Sequence, residues 1–396
     1  MTVRVNKPSF NIREKLSELG RKFGLKGSEL AAAETVQEAR DLVSAGRKNI
    51  VINGDMRVSQ RSTSTTSVGG SFSYYTLDRY QFRSSGHGGR YTMSQSTDNP
   101  GEGFSKSLKF EVTTADTSVA AAEYSGFSTR FEGQDVQQFS FGTSKAKPLT
   151  LSFWVKSSVT GTYSVFFANW WSSTGRLINR TFTINSSNTW EKKVLTIPGD
   201  TDSNNSIPDN NTAGMEIGWT FTSGTTYNDG SDGSVWHNSS SAGKRHYGHA
   251  VNFANTLGDT FYITGIQLEI GNNATDFEHR SYGEELALCQ RYYGKIRLSN
   301  QEWIYNESNS TWGKWWMGYI PFSMRANPNI DSTDLTGGVS VSGLSGTVST
   351  ITPQTPGDTP GRVSMRVNMS VDSGTARAMY HTDGWAGDYL AFDAEL

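Results

Sequence analysis

The sequence predicts a mainly β protein: an antiparallel β-sandwich of jelly-roll type, with short N-terminal helices and a second, smaller C-terminal β domain. Three observations predict it. Short runs that alternate apolar and polar residues recur along most of the chain, separated by turns rich in Gly, Ser and Asn. Of the 396 residues, 35% are hydrophobic, 12% are aromatic and 41 are glycine, a mixture suited to short strands and polar turns. It is too aromatic for a disordered chain. No long helical pattern separates the strand runs, which argues for a sandwich and against a parallel sheet with crossover helices.

Residues 1–47 differ from the rest. Asn11 with Glu14 reads as a capping box opening a helix through Phe23, with Ile12, Leu16, Leu19 and Phe23 on one stripe. Thr35 with Glu38 reads as a second such pair, closed at Gly46. Short terminal helices cannot bury their own stripe. Either the domain that follows covers it or a partner does, and both readings stay open.

Alternation begins near Asn49 with Ile50, Ile52 and Met56. Strand-like runs follow at 74–82, 107–113, 136–141, 149–156, 162–169, 176–184, 190–197, 215–222 and 260–270. Leu149, Leu151, Phe153 and Val155 alternate with Thr150, Ser152, Trp154 and Lys156. These runs define a jelly-roll domain over residues 48–280. Ser281 with Glu284 is a third capping pair and predicts a connecting helix over 281–295. The remaining 296–396 form the smaller β domain, whose cleanest alternation is Arg362–Val371. The longest stretches expected to be loops are 199–213, 223–250 and 345–361.

The charge balance excludes several classes. With 36 Lys and Arg against 38 Asp and Glu, the net charge is -2, and no basic run suggests nucleic acid. The single cysteine, Cys289, excludes an intrachain disulfide and a Cys-based zinc site. No apolar run reaches the roughly 18 residues of a membrane span. The N-terminal residues lack the apolar core of a secretory signal.

Catalysis finds no support. A glycosidase or lyase needs paired carboxylates in a cleft. Glu132, Asp135, Glu269 and Asp276 are present, but no spacing singles out a pair. No G-x-S-x-G or H-E-x-x-H motif occurs. The run Asp200–Asn204 starts like an EF-hand loop, but Asn205 stands at the sixth position and Asn211 at the twelfth, so it reads as a polar turn. His246 and His249 read as solvated side chains in a flexible stretch. Aromatic residues carry the binding hypothesis, since exposed rings stack on the C–H faces of sugars while polar groups read the hydroxyls. Tyr227 and Trp236 lie in a Gly- and Ser-rich insert, and Trp170 and Trp171 adjoin a polar turn. Trp312 and Trp315 crowd a short C-terminal segment, where subunit packing competes evenly with ligand binding. Trp154, Trp190 and Trp219 sit inside strand patterns and read as core or sheet-face residues.

Five segments resemble one family. They are RKNIVINGDMRVSQRSTS at 47–64, YTLDRYQF at 75–82, LTLSFWVKSSVTGTYSVFF at 149–167, FTINSSNTWEKKVLTIPGDT at 182–201 and DTFYITGIQLEIGNNATDFEHRSYGEELALCQRYY at 259–293. Together they resemble the tail-fibre-like, receptor-binding proteins of phages of marine and cyanobacterial hosts. The resemblance implies a jelly roll like that of carbohydrate-binding modules, no catalytic activity, and a homotrimeric fibre. It implies a structural virion protein made in the host cytoplasm and located on the tail. Residues 1–47 would dock to a tail or adaptor protein, and the β domains would meet host cell-surface polysaccharide. A head- or baseplate-attached decoration protein, or a secreted lectin, is the alternative. Jelly-roll binding modules often hold a structural calcium near their first and last strands, and this resemblance points to Asn53, Asp55 and Glu269. No other cofactor is implied.

Overall fold

The computed structural model describes residues 48–297, 304–305, 312–319, 322–326, 328–331, 339–341, 344–354, 362–371 and 389–396. The helices expected in residues 1–47 lie outside the described residues. The chain divides into two compact units, Met1–Lys48 with Thr275–Glu278, and Asn49–Ala274 with His279–Leu396. Every element below belongs to the second.

The fold is an antiparallel β-sandwich. Its strands are β1 (Ser64–Val68), β2 (Ser73–Tyr74), β3 (Gln81–Ser85), β4 (Arg90–Ser96), β5 (Ser107–Thr114), β6 (Tyr124–Glu132), β7 (Leu149–Ser157), β8 (Gly161–Asn169), β9 (Arg176–Ile184), β10 (Glu191–Ile197), β11 (Ala213–Ser223), β12 (His237–Asn238) and β13 (Thr260–Ile270). One sheet has six strands in the order β1-β4-β5-β13-β7-β10. The other has seven, in the order β12-β9-β8-β11-β6-β3-β2. Neighbours in space are mostly distant in sequence, and side-chain bonds such as Asn49 Nδ2 to Ile266 O (3.1 Å) also tie the start of this region to its end.

The two sheets meet through aromatic side chains. Phe153 of β7 meets Trp219 of β11 edge-on at 5.8 Å between ring centroids, and Phe110 of β5 stacks on Phe127 of β6 at 5.2 Å. Phe127 stacks in turn on Trp219 at 4.9 Å. Rings of this size fill the space between two sheets with few residues, which is how a chain of low apolar content builds a continuous core. The alternation of β13 is broken at Gly265, whose φ of +63° accompanies a register shift between Thr264 and Gln267. A Cβ there would stand 2.7 Å from the ring of Phe104, so both the bend and the packing require glycine.

Several expected strands take other forms. The alternation from Asn49 is a stapled turn, with Asn53 and Met56 both at positive φ. The Asn53 amide accepts from Val58 N–H (2.9 Å) and donates to the carbonyls of Val58 (2.8 Å) and Asp78 (3.0 Å). Residues 136–141 form the 3₁₀ turn Gln137–Phe139 ended by left-handed Ser140, although Phe139 and Phe141 are buried as a strand would bury them. Residues 74–82 hold two strands with a turn between. The 345–361 loop is largely the strand Leu344–Gln354, paired with Arg362–Val371; positions 355–361 lie outside the described residues.

The expected helix is α1 (Tyr282–Gln290), and its capping box is present: Glu284 N–H donates to Ser281 Oγ (3.3 Å) and Ser281 N–H to the Glu284 carboxylate (3.2 Å). It is shorter than the 281–295 span, because Tyr293–Arg297 leaves the helix to pair with Tyr389–Asp393. No described helix is long and apolar enough to cross a membrane.

Candidate functional site

Residues that alternate with core residues on the seven-stranded sheet face outward. In β6, Phe127 and Phe131 enter the core, so Ser128 and Arg130 face out. In β11, Ile217, Trp219 and Phe221 enter it, leaving Glu216 and Gly218 outward. Phe82 of β3 leaves Arg83 outward, and Val165 and Phe167 of β8 leave Phe166 outward. Register then assembles the face. Glu216 lies opposite Arg130, Gly218 lies between Ser128 and Phe166, and Arg83 lies opposite Gly126.

The centre of the face is ionic. The Glu216 carboxylate is completely buried, 3.4 Å from Arg83 and 3.6 Å from Arg130, and accepts a 2.6 Å hydrogen bond from the Trp170 indole. Burial alone pushes this carboxyl up. The two guanidinium groups and the indole N–H outweigh it and hold Glu216 below the usual carboxylate range, hence ionised.

Rings surround that centre. The Arg83 guanidinium carbon lies 4.7 Å from the Phe166 centroid, 5.3 Å from Phe72, 5.8 Å from Tyr124 and 6.0 Å from Trp170. Arg245 stands over Trp170 (5.4 Å) and Tyr227 (5.5 Å), and Arg130 over Trp171 (5.6 Å). Phe166, Ala168 and Leu177 form a separate apolar cluster here, with Trp170 packed on it. Gly218 makes room for it, since a Cβ at that position would stand 2.1 Å from the Phe166 ring. Phe72 is 44% exposed and Trp171 41%, so each side chain is partly open to solvent.

Of the residues singled out from the sequence, Trp170, Trp171 and Tyr227 come together at this face. Trp236 does not. It packs edge-on against Phe141 (5.4 Å), and its indole donates to Pro198 O (2.7 Å). Trp312 and Trp315 lie on the strand Trp312–Tyr319, with Trp315 paired to Arg366 and Ile304.

His246 and His249 are buried, not solvated. His246 is enclosed by Tyr124 (5.2 Å), Tyr227 (5.9 Å) and Phe166 (6.2 Å), and its Nδ1 meets Ser223 Oγ at 2.9 Å. His249 Nδ1 accepts from Ser164 N–H at 3.3 Å. The insert folds back over the sheet, and this buries them. Arg83, Arg130, Glu216, Tyr124, Phe72 and Arg245 were not singled out from sequence. The available signal was a charge at an outward position of a strand that is otherwise apolar, as in Met215-Glu216-Ile217.

Of the three residues suggested for calcium, Asn53 staples the turn described above, Asp55 is ion-paired with Arg57, and Glu269 lies in β13 opposite Thr150. Among the described residues, no group of three or more His, Cys, Asp or Glu is arranged to hold a metal ion. The Asp200 turn is stapled by a bidentate Arg176 (2.8 and 3.2 Å) and by Asn205 (2.9 Å).

No protein-family model and no curated protein sequence matches the chain. Solved structures give weak likenesses. A Bacteriophage CBA120 tailspike protein 4 enzymatically active domain is 14% identical, with a TM-score of 0.30 over 56% of this chain and 21% of that one. The chain thus spans about a fifth of that tailspike's length. A family 11 carbohydrate-binding module from Clostridium thermocellum, in complex with a β-1,3-1,4-mixed-linked tetrasaccharide, is 14% identical with a TM-score of 0.27, over 55% of this chain and 99% of that one. The module TmCBM61, in complex with β-1,4-galactotriose, is 9% identical with a TM-score of 0.26, over 57% of this chain and 100% of that one. Overlaps of this size assign no function to the chain.

Proposed function

We propose that the chain is a non-enzymatic, glycan-binding subunit of a phage tail fibre, and that it binds sugar on the outward face of the seven-stranded sheet. One observation carries the glycan reading: exposed rings, Phe72 just before β2 and Trp171 in the turn after β8, stand beside the buried Arg83–Glu216–Arg130 centre. Rings of this kind take the C–H faces of sugars, while fixed charged groups orient the hydroxyls. The virion reading is supported by the five sequence segments that resemble tail-fibre-like proteins. In this reading the chain is a homotrimer on the tail, residues 1–47 dock it there, and several weak sites act together on one cell.

The same face supports binding over hydrolysis. A glycosidase needs a carboxylic acid with a raised pKa facing a second carboxylate. Glu216 is instead held ionised by two arginines, and Glu132 is clamped by Arg291 through two 2.7 Å hydrogen bonds.

Affinity electrophoresis of the full chain through gels containing host surface polysaccharide tests the reading. Retarded migration is expected, with the retardation weakened in Trp171→Ala and Phe72→Ala. Free migration through every such polysaccharide would overturn it. Immunogold labelling of intact virions should place the chain on the tail.

A further inference from the structure

We propose that the glycan taken by this face is anionic, carrying carboxylate or sulfate groups, and that Arg83 and Arg245 bind its charge. The proposal rests on the glycan reading above and adds the ligand's chemical class.

Charge on the face is unbalanced. Two guanidinium groups, Arg83 and Arg130, face the one carboxylate of Glu216, and a third, Arg245, stands over Trp170, whose indole donates to that carboxylate. The Glu216 side chain has no exposed surface, so its charge is spent inward on Arg83 and Arg130 and offers nothing to a ligand. Arg130 has a further partner in the main-chain oxygen of Leu396. Arg83 is less well satisfied. Its Nε faces Glu216 at 3.4 Å without forming a hydrogen bond, as the Arg130 Nε does at 3.6 Å, and among the described residues it has no main-chain acceptor such as Arg130 has. Arg245 lies over Trp170 and Tyr227 and hydrogen-bonds the Ser239 carbonyl at 3.3 Å, while its Nε is buried without a partner. Tyr124, Tyr227 and His246, whose rings line this part of the face, add no negative charge. Burial keeps His246 neutral, and Arg83 and Arg245 reinforce it, which marks the local field as positive.

The surroundings make those charges effective. Aromatic walls exclude water and lower the local dielectric, so an arriving anion is attracted more strongly than at an open surface. The planar fork of arginine matches a carboxylate or sulfate, and each contact is a charge-assisted hydrogen bond. Phe72 and Trp171 stand beside the charged centre, where the sugar rings carrying those anions can stack.

Isothermal titration calorimetry of the full chain tests this with four probes: oligogalacturonate for carboxylate, a sulfated galactan oligosaccharide for sulfate, and neutral galactan and mixed-linked β-glucan oligosaccharides. At least one acidic probe should bind about ten-fold or more tighter than the neutral ones, since a charge-assisted pair is worth that much. Its affinity should fall as salt rises. Arg83→Gln and Arg245→Gln should each weaken it by about ten-fold. Arg245 lies in the covering loop, so its variant tests the idea even if Arg83→Gln fails to fold. If neutral probes bind as tightly as acidic ones, or if folded Arg245→Gln binds the acidic probe unchanged, the anionic assignment is overturned. The glycan reading then stands on the binding lost in Trp171→Ala. Absence of binding to both acidic probes would overturn the anionic assignment, while retarded migration in host polysaccharide decides the glycan reading separately.

Discussion

The guanidinium of Arg79 lies over the ring of Tyr292, with Cζ 3.4 Å from the ring centroid and both side chains buried. Arg79 also pairs with Glu395 and donates to the carbonyl of Arg130. Beside it, Arg61 stands over Tyr293 at 3.7 Å and contacts Asp78 at 3.7 Å. Arg280 donates to Val51 O (3.0 Å) and to Glu285 (3.3 Å). Three segments that resemble tail-fibre-like proteins, at 47–64, 75–82 and 259–293, therefore converge on one buried node. Their residues hold the fold together, and Arg79 reaches the candidate sugar face through the main chain of Arg130.

Removing Arg79 should destabilise the chain. Arg79→Met leaves Glu395 buried with Arg61, at 3.3 Å, as its remaining ion pair among the described residues. Breaking one side of a buried pair costs about 3–5 kcal/mol, and the remaining arginine places this case near 3 kcal/mol. Arg79→Lys should rescue little, since an ammonium cannot lie over Tyr292 and reach two acceptors at once. Urea denaturation of the variants measures both.

Trp219→Ala should cost about 3–5 kcal/mol. Trp219 is 2% exposed and touches both Phe127 and Phe153, so truncation opens a cavity between the sheets. A drop in thermal midpoint with unchanged far-ultraviolet circular dichroism at low temperature is the expected signature.

The periodicity of single strands was legible in the sequence, and the assembly of the face was not. Leu149, Leu151, Phe153 and Val155 read as one buried side and are one. The capping pair Ser281 and Glu284 reads as a helix start and is one. Asn49–Met56 misled because Asn side chains can take over backbone hydrogen bonds, turning an alternating run into a turn. The outward face needed long-range register: Arg83, Arg130 and Glu216 are 133 positions apart at the extremes and meet only through β3–β6–β11 pairing. Loop 223–250 looked flexible by composition, yet its Tyr227, Arg245 and His246 close over the sheet, a placement no local pattern encodes.

Acid should loosen that covering loop. Burial lowers the pKa of His249 to about 4 and that of His246 well below 6.5. Around His246 stand Arg83, Arg245 and His249, which oppose its protonation further. Groups whose folded pKa is depressed contribute stability that is fully present above the unfolded value, about 6.5, and is lost as pH falls toward the folded value. Stability should therefore decline from pH about 6.5 to about 4. Asp78 works in the opposite direction, since burial raises its carboxyl to about 6 despite Arg61 and Gln60, and its contribution is lost as pH rises through that value. Comparing the pH dependence of thermal midpoints for His249→Gln with that of the parent isolates the histidine term. The variant should show the shallower acid decline, and parallel profiles would contradict the assignment.

The two tryptophans that sequence grouped together should separate by experiment. Trp171 is 41% exposed, and the Arg130 guanidinium stands 5.6 Å from its ring centroid. Trp171→Ala should change stability by no more than about 0.5 kcal/mol, as surface substitutions do, while weakening binding to polysaccharide. Trp236 packs on Phe141 at 5.4 Å and its indole donates to Pro198 O at 2.7 Å. Trp236→Ala gives up ring burial and leaves that carbonyl without its donor, a loss of about 2–3 kcal/mol. It should leave the affinity of the folded fraction unchanged. Measuring thermal midpoint and polysaccharide affinity on both variants gives a two-by-two outcome. If Trp236→Ala weakens binding without loss of stability while Trp171→Ala does neither, the sugar face lies on the Trp236 side of the seven-stranded sheet and not around Glu216.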